Sequence, residues 1–129
     1  MIVTYPAIFR KEDGKYCVDF PDLVGCQTFG GDLNEIVLRA EEALTGYVLV
    51  LLEDGGNLPV SSDVFAIKVN EGEFVSLITV NITSFMKEVK SVKKTLTIPS
   101  WLNERALKEN INFSAVLQEA LIKSLGILK

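Results

Sequence analysis

The sequence contains no histidine, and this absence excludes several classes of functional site. Ser-His and Cys-His nucleophilic sites, histidine general bases and His-ligated metals all require the imidazole. The two cysteines, Cys17 and Cys26, are too few for a disulfide framework and are a poor set for zinc. We therefore expect no catalytic residue, no metal and no cofactor.

Long apolar segments are also missing. No run approaches the roughly 18 residues that a membrane-spanning helix needs. The start of the chain lacks the basic region and the small-residue cleavage site of a signal peptide. These absences, with the low cysteine content, predict a cytoplasmic protein without membrane contact. The 129 residues, 48% of them hydrophobic, suffice for one ordinary domain or for a small domain plus a mini-domain.

Charge is distributed unevenly along the chain. Residues 1–85 carry 5 Lys or Arg against 13 Asp or Glu, a net charge of −8, whereas residues 86–129 carry 8 against 4, a net charge of +4. An acidic surface repels nucleic acid and a basic one attracts it. The split therefore suggests two surfaces with different partners, although chance clustering would give the same pattern.

The N-terminal segment has the pattern of a small α+β domain. Ile2–Phe9 and Tyr16–Phe20 predict a β-hairpin around the Asp13-Gly14 turn, with Pro6 favouring an edge position or a bulge. Gln27–Gly30 predicts a short third strand. Asp32 and Glu35 form a capping-box pattern before an amphipathic helix that ends at Gly55 and Gly56. Strands are predicted over Val64–Val69 and Glu73–Ile82.

The C-terminal segment follows a linker at residues 83–91 and reads as strand, helix, helix over residues 92–129. Val92, Leu96 and Ile98 alternate with Lys93, Thr95 and Thr97. Pro99 and Ser100 suit the start of the first helix, Asn110 suits its end, and either Asn112 or Ser114 caps the second.

A lone strand with two helices cannot close a core, so this segment needs a partner surface. A twofold dimer with paired antiparallel strands would supply one, and packing on the main domain is the alternative. In the dimer, Lys93, Thr95 and Thr97 of both chains would face solvent as a two-stranded ribbon. Lysines and threonines on such a ribbon can read bases in the major groove of DNA. The start of the second helix would bind phosphate.

Two resemblances to known families agree with these interpretations. Residues 92–127 resemble the ribbon-helix-helix fold of bacterial repressors, although Asn110 stands where that family often has glycine. The resemblance implies base contacts by Lys93, Thr95 and Thr97; the candidate phosphate contacts are Lys94, Asn112, Phe113 and Ser114. Residues 16–44, with their Phe-Pro-Asp-Leu-x-Gly-Cys-x-Thr-x-Gly motif, resemble HicB-type antitoxins, as do Tyr5–Phe9 and the Gly-Gly-Asn-Leu-Pro segment.

Similarity to HicB implies a partial RNase H-like βββαβ domain, residues 1–82, that binds and blocks HicA, an RNA-cleaving toxin. It also implies a repressor that binds its own operator DNA as a homodimer or a higher oligomer. Candidate toxin contacts are Tyr5, Phe20, Asp22 and Leu23. Phe20, Leu23, Val24 and Phe29 are, however, more typical of core or loop packing, and Cys26 of a small buried residue.

Two other functions are compatible with the sequence. A stand-alone ribbon-helix-helix regulator would use the first domain to sense a small molecule. A metal-dependent nuclease would use the carboxylates of Asp19, Asp22 and Asp32, which would have to converge on metals about 4 Å apart. Because Asp32 already suits a helix cap and Asp22 a loop, the nuclease is the weaker alternative.

Overall fold

The protein is described from a computed structural model, which covers residues 1–85 and 91–127. Its strands are β1 (Ile2–Glu12), β2 (Lys15–Asp19), β3 (Gln27–Gly30) and β4 (Phe74–Asn81). Its helices are α1 (Leu33–Glu53), α2 (Ser100–Lys108) and α3 (Phe113–Ser124), with single 3₁₀ turns at Val64–Ala66 and Ile82–Ser84. The chain is thus a mixed α+β protein, as the sequence predicts. Residues 86–90 of the predicted linker lie outside the described part.

The four strands form one antiparallel sheet in the order β3-β2-β1-β4. The predicted hairpin joins β1 to β2, and its turn residues Asp13 and Gly14 have φ of 50° and 77°, the geometry that lets two strands reverse in two residues. β1 lies inside the sheet rather than at its edge. At Pro6, however, β1 pairs only with β4, because its ladder with β2 begins at Ile8.

Helix α1 covers one face of the sheet and closes the core. Its N-cap is Asp32, whose carboxylate accepts a 2.8 Å hydrogen bond from the Glu35 amide. The Glu35 side chain accepts from Gly31 N at 3.2 Å, one residue before the position that a capping box would use. The helix ends at Glu53, before Gly55 with φ of 79°. Its inward stripe packs on alternate residues of β1 and β4: Ile36, Ala40, Leu44 and Val48 on the helix, and Val3, Tyr5, Ala7, Phe9, Ile78 and Val80 on the sheet.

The strand predicted at Val64–Val69 is wrong. Val64–Ala66 forms a 3₁₀ turn, because the Asp63 carboxylate caps it by accepting a 3.0 Å hydrogen bond from the Phe65 amide. The Phe65 side chain is 98% exposed, so the apolar run that suggested a strand has no core to enter. The strand predicted at Glu73–Ile82 is confirmed as β4.

The C-terminal segment differs from its expected pattern in one element. Residues 91–99 form neither helix nor strand in the single chain. A two-stranded ribbon takes its ladder from a second copy, so the strand at residues 92–98 stays a prediction. Pro99 is the N-cap of α2 and makes no side-chain bond, Asn110 has φ of 53° after α2, and Asn112 caps α3 by accepting from the Ala115 amide at 3.1 Å.

Candidate partner-binding surfaces

Three of the four candidate toxin contacts lie in the core. Tyr5 is 2% exposed, Phe20 is 1% exposed and Leu23 is fully buried. The Tyr5 hydroxyl donates a 2.6 Å hydrogen bond to the Pro59 carbonyl, and burial raises the pKa of this phenol. A toxin cannot touch these side chains without opening the core, so their part in an interface would be to hold its surface in shape.

Asp22 fastens two loops together. Its carboxylate accepts hydrogen bonds from the Ser62 hydroxyl and, at 2.8 Å, from the Ser62 amide. The neighbouring Ser61 hydroxyl donates at 2.6 Å to the carbonyl of Thr4, on the part of β1 that β2 leaves unpaired. Asp22 and Asp32 therefore have separate structural tasks. No cluster of three or more Cys, Asp or Glu able to hold a metal occurs in the described ranges.

The Phe-Pro-Asp-Leu-x-Gly-Cys motif builds a closed loop. Phe20 N donates to Cys26 O at 3.0 Å, Leu23 N to Phe20 O at 3.1 Å, and Cys26 N to Leu23 O at 3.0 Å, while Gly25 supplies φ of 83°. Cys26 is 4% exposed, and burial, followed by the charge of Asp19, raises its thiol pKa to about 11. The interpretation of Cys26 as a small buried residue agrees with this environment.

Two apolar side chains at variable positions of the motif point to solvent. Val24 is 88% exposed, and Phe29 is 64% exposed on the sheet face opposite α1, where the Lys15 ammonium lies 6.0 Å from its ring centre. The packing interpretation is thus right for Phe20 and Leu23 and wrong for Val24 and Phe29. These exposed apolar residues, in and next to a hydrogen-bonded loop, offer a surface that the sequence pattern did not distinguish from core.

Helix α1 also displays a surface that the sequence analysis missed. Leu38, Glu42, Gly46 and Val50 recur every fourth residue along its outer side, and all four are exposed. A groove of about 500 Å³ runs on each side of Gly46, one toward β4 and one toward the Gly25–Gln27 segment. The i, i+4 spacing of these residues can be read from the sequence. The sequence does not show that this side of the helix is exposed, because apolar residues occur on its other sides as well.

The candidate DNA contacts at residues 93–97 are all exposed. Lys93, Thr95 and Thr97 face solvent, and so does Lys94. The apolar residues that alternate with them are uncovered as well: Val92 is 84%, Leu96 58% and Ile98 42% exposed. Neither side of this segment is buried against another part of the described chain.

The other three candidate phosphate contacts lie together at the start of α3. Asn112 caps the helix with its side-chain oxygen, and Phe113 and Ser114 occupy the first two helical positions. Amides at these positions precede the first hydrogen bonds within a helix and are oriented along its axis. The position suits an anion, since the helix dipole places partial positive charge there.

Helix α3 has two apolar sides, and one of them packs on the core formed by the sheet and α1. Ile122 is 8% exposed within the core cluster, and Leu58 N donates to Ile127 O at 3.0 Å. Glu119 pairs with the Met1 ammonium at 2.8 Å, and hydrogen bonding to this ammonium lowers the pKa of the Glu119 carboxyl. The other side of α3 stays uncovered: Phe113 is 42%, Val116 54%, Leu121 51% and Leu125 68% exposed.

Comparison with known proteins gives the family. A family model described as "HicB_like antitoxin of bacterial toxin-antitoxin system" matches residues 5–120. The chain belongs to this family. A 14.9 kDa protein from the rep-hol intergenic region of Haemophilus phage HP1 (strain HP1c1) is 32% identical over 105 residues, which cover 78% of this chain and 77% of that protein.

Solved structures agree with the family. A chain of the toxin-antitoxin complex from Streptococcus pneumoniae is 29% identical, with a TM-score of 0.64 over 96% of this chain and 99% of that one. A chain of the HicA3 and HicB3 toxin-antitoxin complex is 26% identical, with a TM-score of 0.51 over 58% of this chain and 94% of that one. Within the described residues of this HicB-like antitoxin, no helix is long and apolar enough to cross a membrane.

Proposed function

We propose that this protein neutralises a HicA-type, RNA-cleaving toxin through its first domain. Membership of the HicB-like antitoxin family carries the proposal. The matched complexes pair relatives of this chain with toxins. The net charge of −8 on residues 1–85 is what a basic, RNA-gripping partner would need, since complementary charge raises association rate and specificity.

A growth assay tests this proposal. The small reading frame beside this gene is expressed alone and then together with the antitoxin. Growth arrest that co-expression relieves supports neutralisation, and co-purification of the two proteins should accompany it. A neighbour that is not toxic, or arrest that persists, contradicts the proposal and favours a stand-alone regulator with a ligand-sensing first domain.

The second part of the proposal is repression of its own operon by a dimer that binds operator DNA. Its support is the uncovered C-terminal segment: the apolar residues of the 92–98 stretch and one whole side of α3 lack a cover within the described residues. A second copy would cover both, and pairing of the two stretches would turn Lys93, Thr95 and Thr97 outward as the ribbon-helix-helix resemblance implies. This module has no catalytic role, and neither does the first domain.

Substitutions in the stretch test the DNA contacts. Lys93→Ala or Thr95→Ala should lower the preference for operator over random DNA by about 1–3 kcal/mol each, if each residue reads a base. Ser114→Ala serves as the comparison, because the loss of a phosphate contact weakens binding to operator and random DNA equally. Binding should fall steeply with added salt. Equal losses on operator and random DNA for the first two variants would contradict base reading.

A further inference from the structure

The surface along α1 has a feature that nothing inside the described chain explains. Gly46 lies in the interior of a 21-residue helix, where glycine costs about 1 kcal/mol relative to alanine. A Cβ built on Gly46 meets no atom within 4 Å, so no neighbour in the described chain requires a residue without a side chain at this position. Gly30 is the contrast, since its Cβ would lie 2.9 Å from the Ile36 amide nitrogen.

Gly46 forms a gap in an otherwise apolar and acidic ridge. Leu38 and Val50, 60% and 58% exposed, stand two turns and one turn away on the same side of the helix. Gly46 lines both grooves, which together form a depression on either side of this gap. A partner's backbone or side chain could approach the helix axis here more closely than anywhere along the ridge.

The charge of this depression is entirely negative. Glu41 and Glu42 line the groove toward β4, and Asp54 lines the other, whereas no described lysine or arginine lines either groove. The one arginine of α1, Arg39, lies 3.6 Å from Glu35 and is thereby engaged one turn nearer the N-terminus. Within the described residues no ion pair neutralises Glu41 or Glu42.

We propose that the α1 ridge, defined by Leu38, Glu42, Gly46 and Val50, is the docking surface for the toxin. A basic segment of the toxin crosses the helix at Gly46, its apolar side chains cover Leu38 and Val50, and its cations meet Glu41 and Glu42. This inference rests on the antitoxin function proposed above and assigns the surface that performs it. The occupant is a basic protein because the depression offers cation partners beside uncovered apolar residues.

Two variants test the surface without disturbing the fold. Gly46→Gln fills the gap with a good helix former that has open space around it, so the melting temperature should not fall. Glu42→Lys reverses one charge on an exposed side chain. Each should raise the Kd for the purified toxin at least about tenfold, and the loss for Glu42→Lys should shrink as salt increases.

Glu71→Lys is the matched control, because it makes the same charge change on an exposed residue just before the start of β4. The groove lies at the other end of this strand, at Thr79–Asn81. It should change the Kd by less than about threefold. Wild-type binding with unaffected Gly46→Gln and Glu42→Lys variants overturns the assigned surface and leaves the antitoxin function standing. No binding by the wild type contradicts the antitoxin function itself.

Light scattering without toxin identifies the competing occupant. If Gly46→Gln lowers the oligomeric mass of the free antitoxin, a second copy of this chain occupies the ridge and the proposal is overturned. An unchanged mass together with a lost toxin complex is the expected pair of results.

Discussion

Replacing Leu96 by alanine should weaken the proposed dimer strongly while leaving each chain folded. Leu96 is 58% exposed in the single chain, so its removal takes little from the folded monomer. Full burial of a leucine side chain is worth about 1.5–3 kcal/mol, so covering the exposed part of Leu96 contributes about 1–2 kcal/mol per chain. A twofold interface contains the residue twice, which gives about 2–4 kcal/mol, or a roughly 30- to 700-fold higher dimer Kd.

Sedimentation over a dilution series measures that Kd directly. Lys93→Ala is the control from the other side of the same stretch: it should leave the dimer Kd within about threefold and lower only operator binding. A Leu96→Ala dimer as tight as the wild type would refute the pairing of the 92–98 stretches. The uncovered apolar residues would then need another cover, such as the first domain of the same chain.

Three further predictions concern the sheet and α1. Asp32→Ala removes the side-chain acceptor of the Glu35 amide and should lower the free energy of unfolding by about 1 kcal/mol in urea titrations, whereas an unchanged value would show that the cap is dispensable. Gly30→Ala drives a Cβ against the backbone of α1 and should cost about 1–3 kcal/mol, while Gly46→Ala, its matched control on open surface, should stabilise the fold. With a thiol pKa of about 11, Cys26 should resist iodoacetamide at about pH 8 in the native protein and react readily in guanidinium; equal rates would contradict its burial.

Elements determined by neighbouring residues were predictable from the sequence. The Asp13-Gly14 turn, the Asp32 cap and the short strand Gln27–Gly30 each follow from a few adjacent side chains, and the structure contains all three. The strand predicted at Val64–Val69 is wrong because here, too, neighbouring residues determine the local structure. Its β-branched residues satisfy a strand pattern, but Asp63 offers a local cap and no described sheet edge takes up the segment.

Exposure was harder to predict than secondary structure, because it depends on which face of the sheet α1 covers. Phe20 and Phe29 belong to the same motif and look alike in the sequence. One is 1% exposed and the other 64%, since only one sheet face is covered by the helix. The α1 ridge could not be predicted for a related reason. When a helix has apolar residues on most sides, its sequence does not show which stripe is exposed to solvent.

The two-sided character of α3 links the two proposed activities. One side of the helix, through Ile122, belongs to the core of the proposed toxin-binding domain, and the other side, through Val116 and Leu121, is open to a second copy. A helix held on both sides cannot shift relative to one surface without straining the other. We therefore expect Ile122→Ala, which loosens the hold on the first domain, to alter operator affinity although Ile122 lies on the side of α3 away from the proposed dimer contacts. Operator affinity should be measured with and without saturating toxin, and the Leu121→Ala variant is the comparison at an exposed apolar residue of the same helix. If Ile122→Ala leaves both affinities at their wild-type values while the chain stays folded, the two domains act independently and the contact between them serves stability alone.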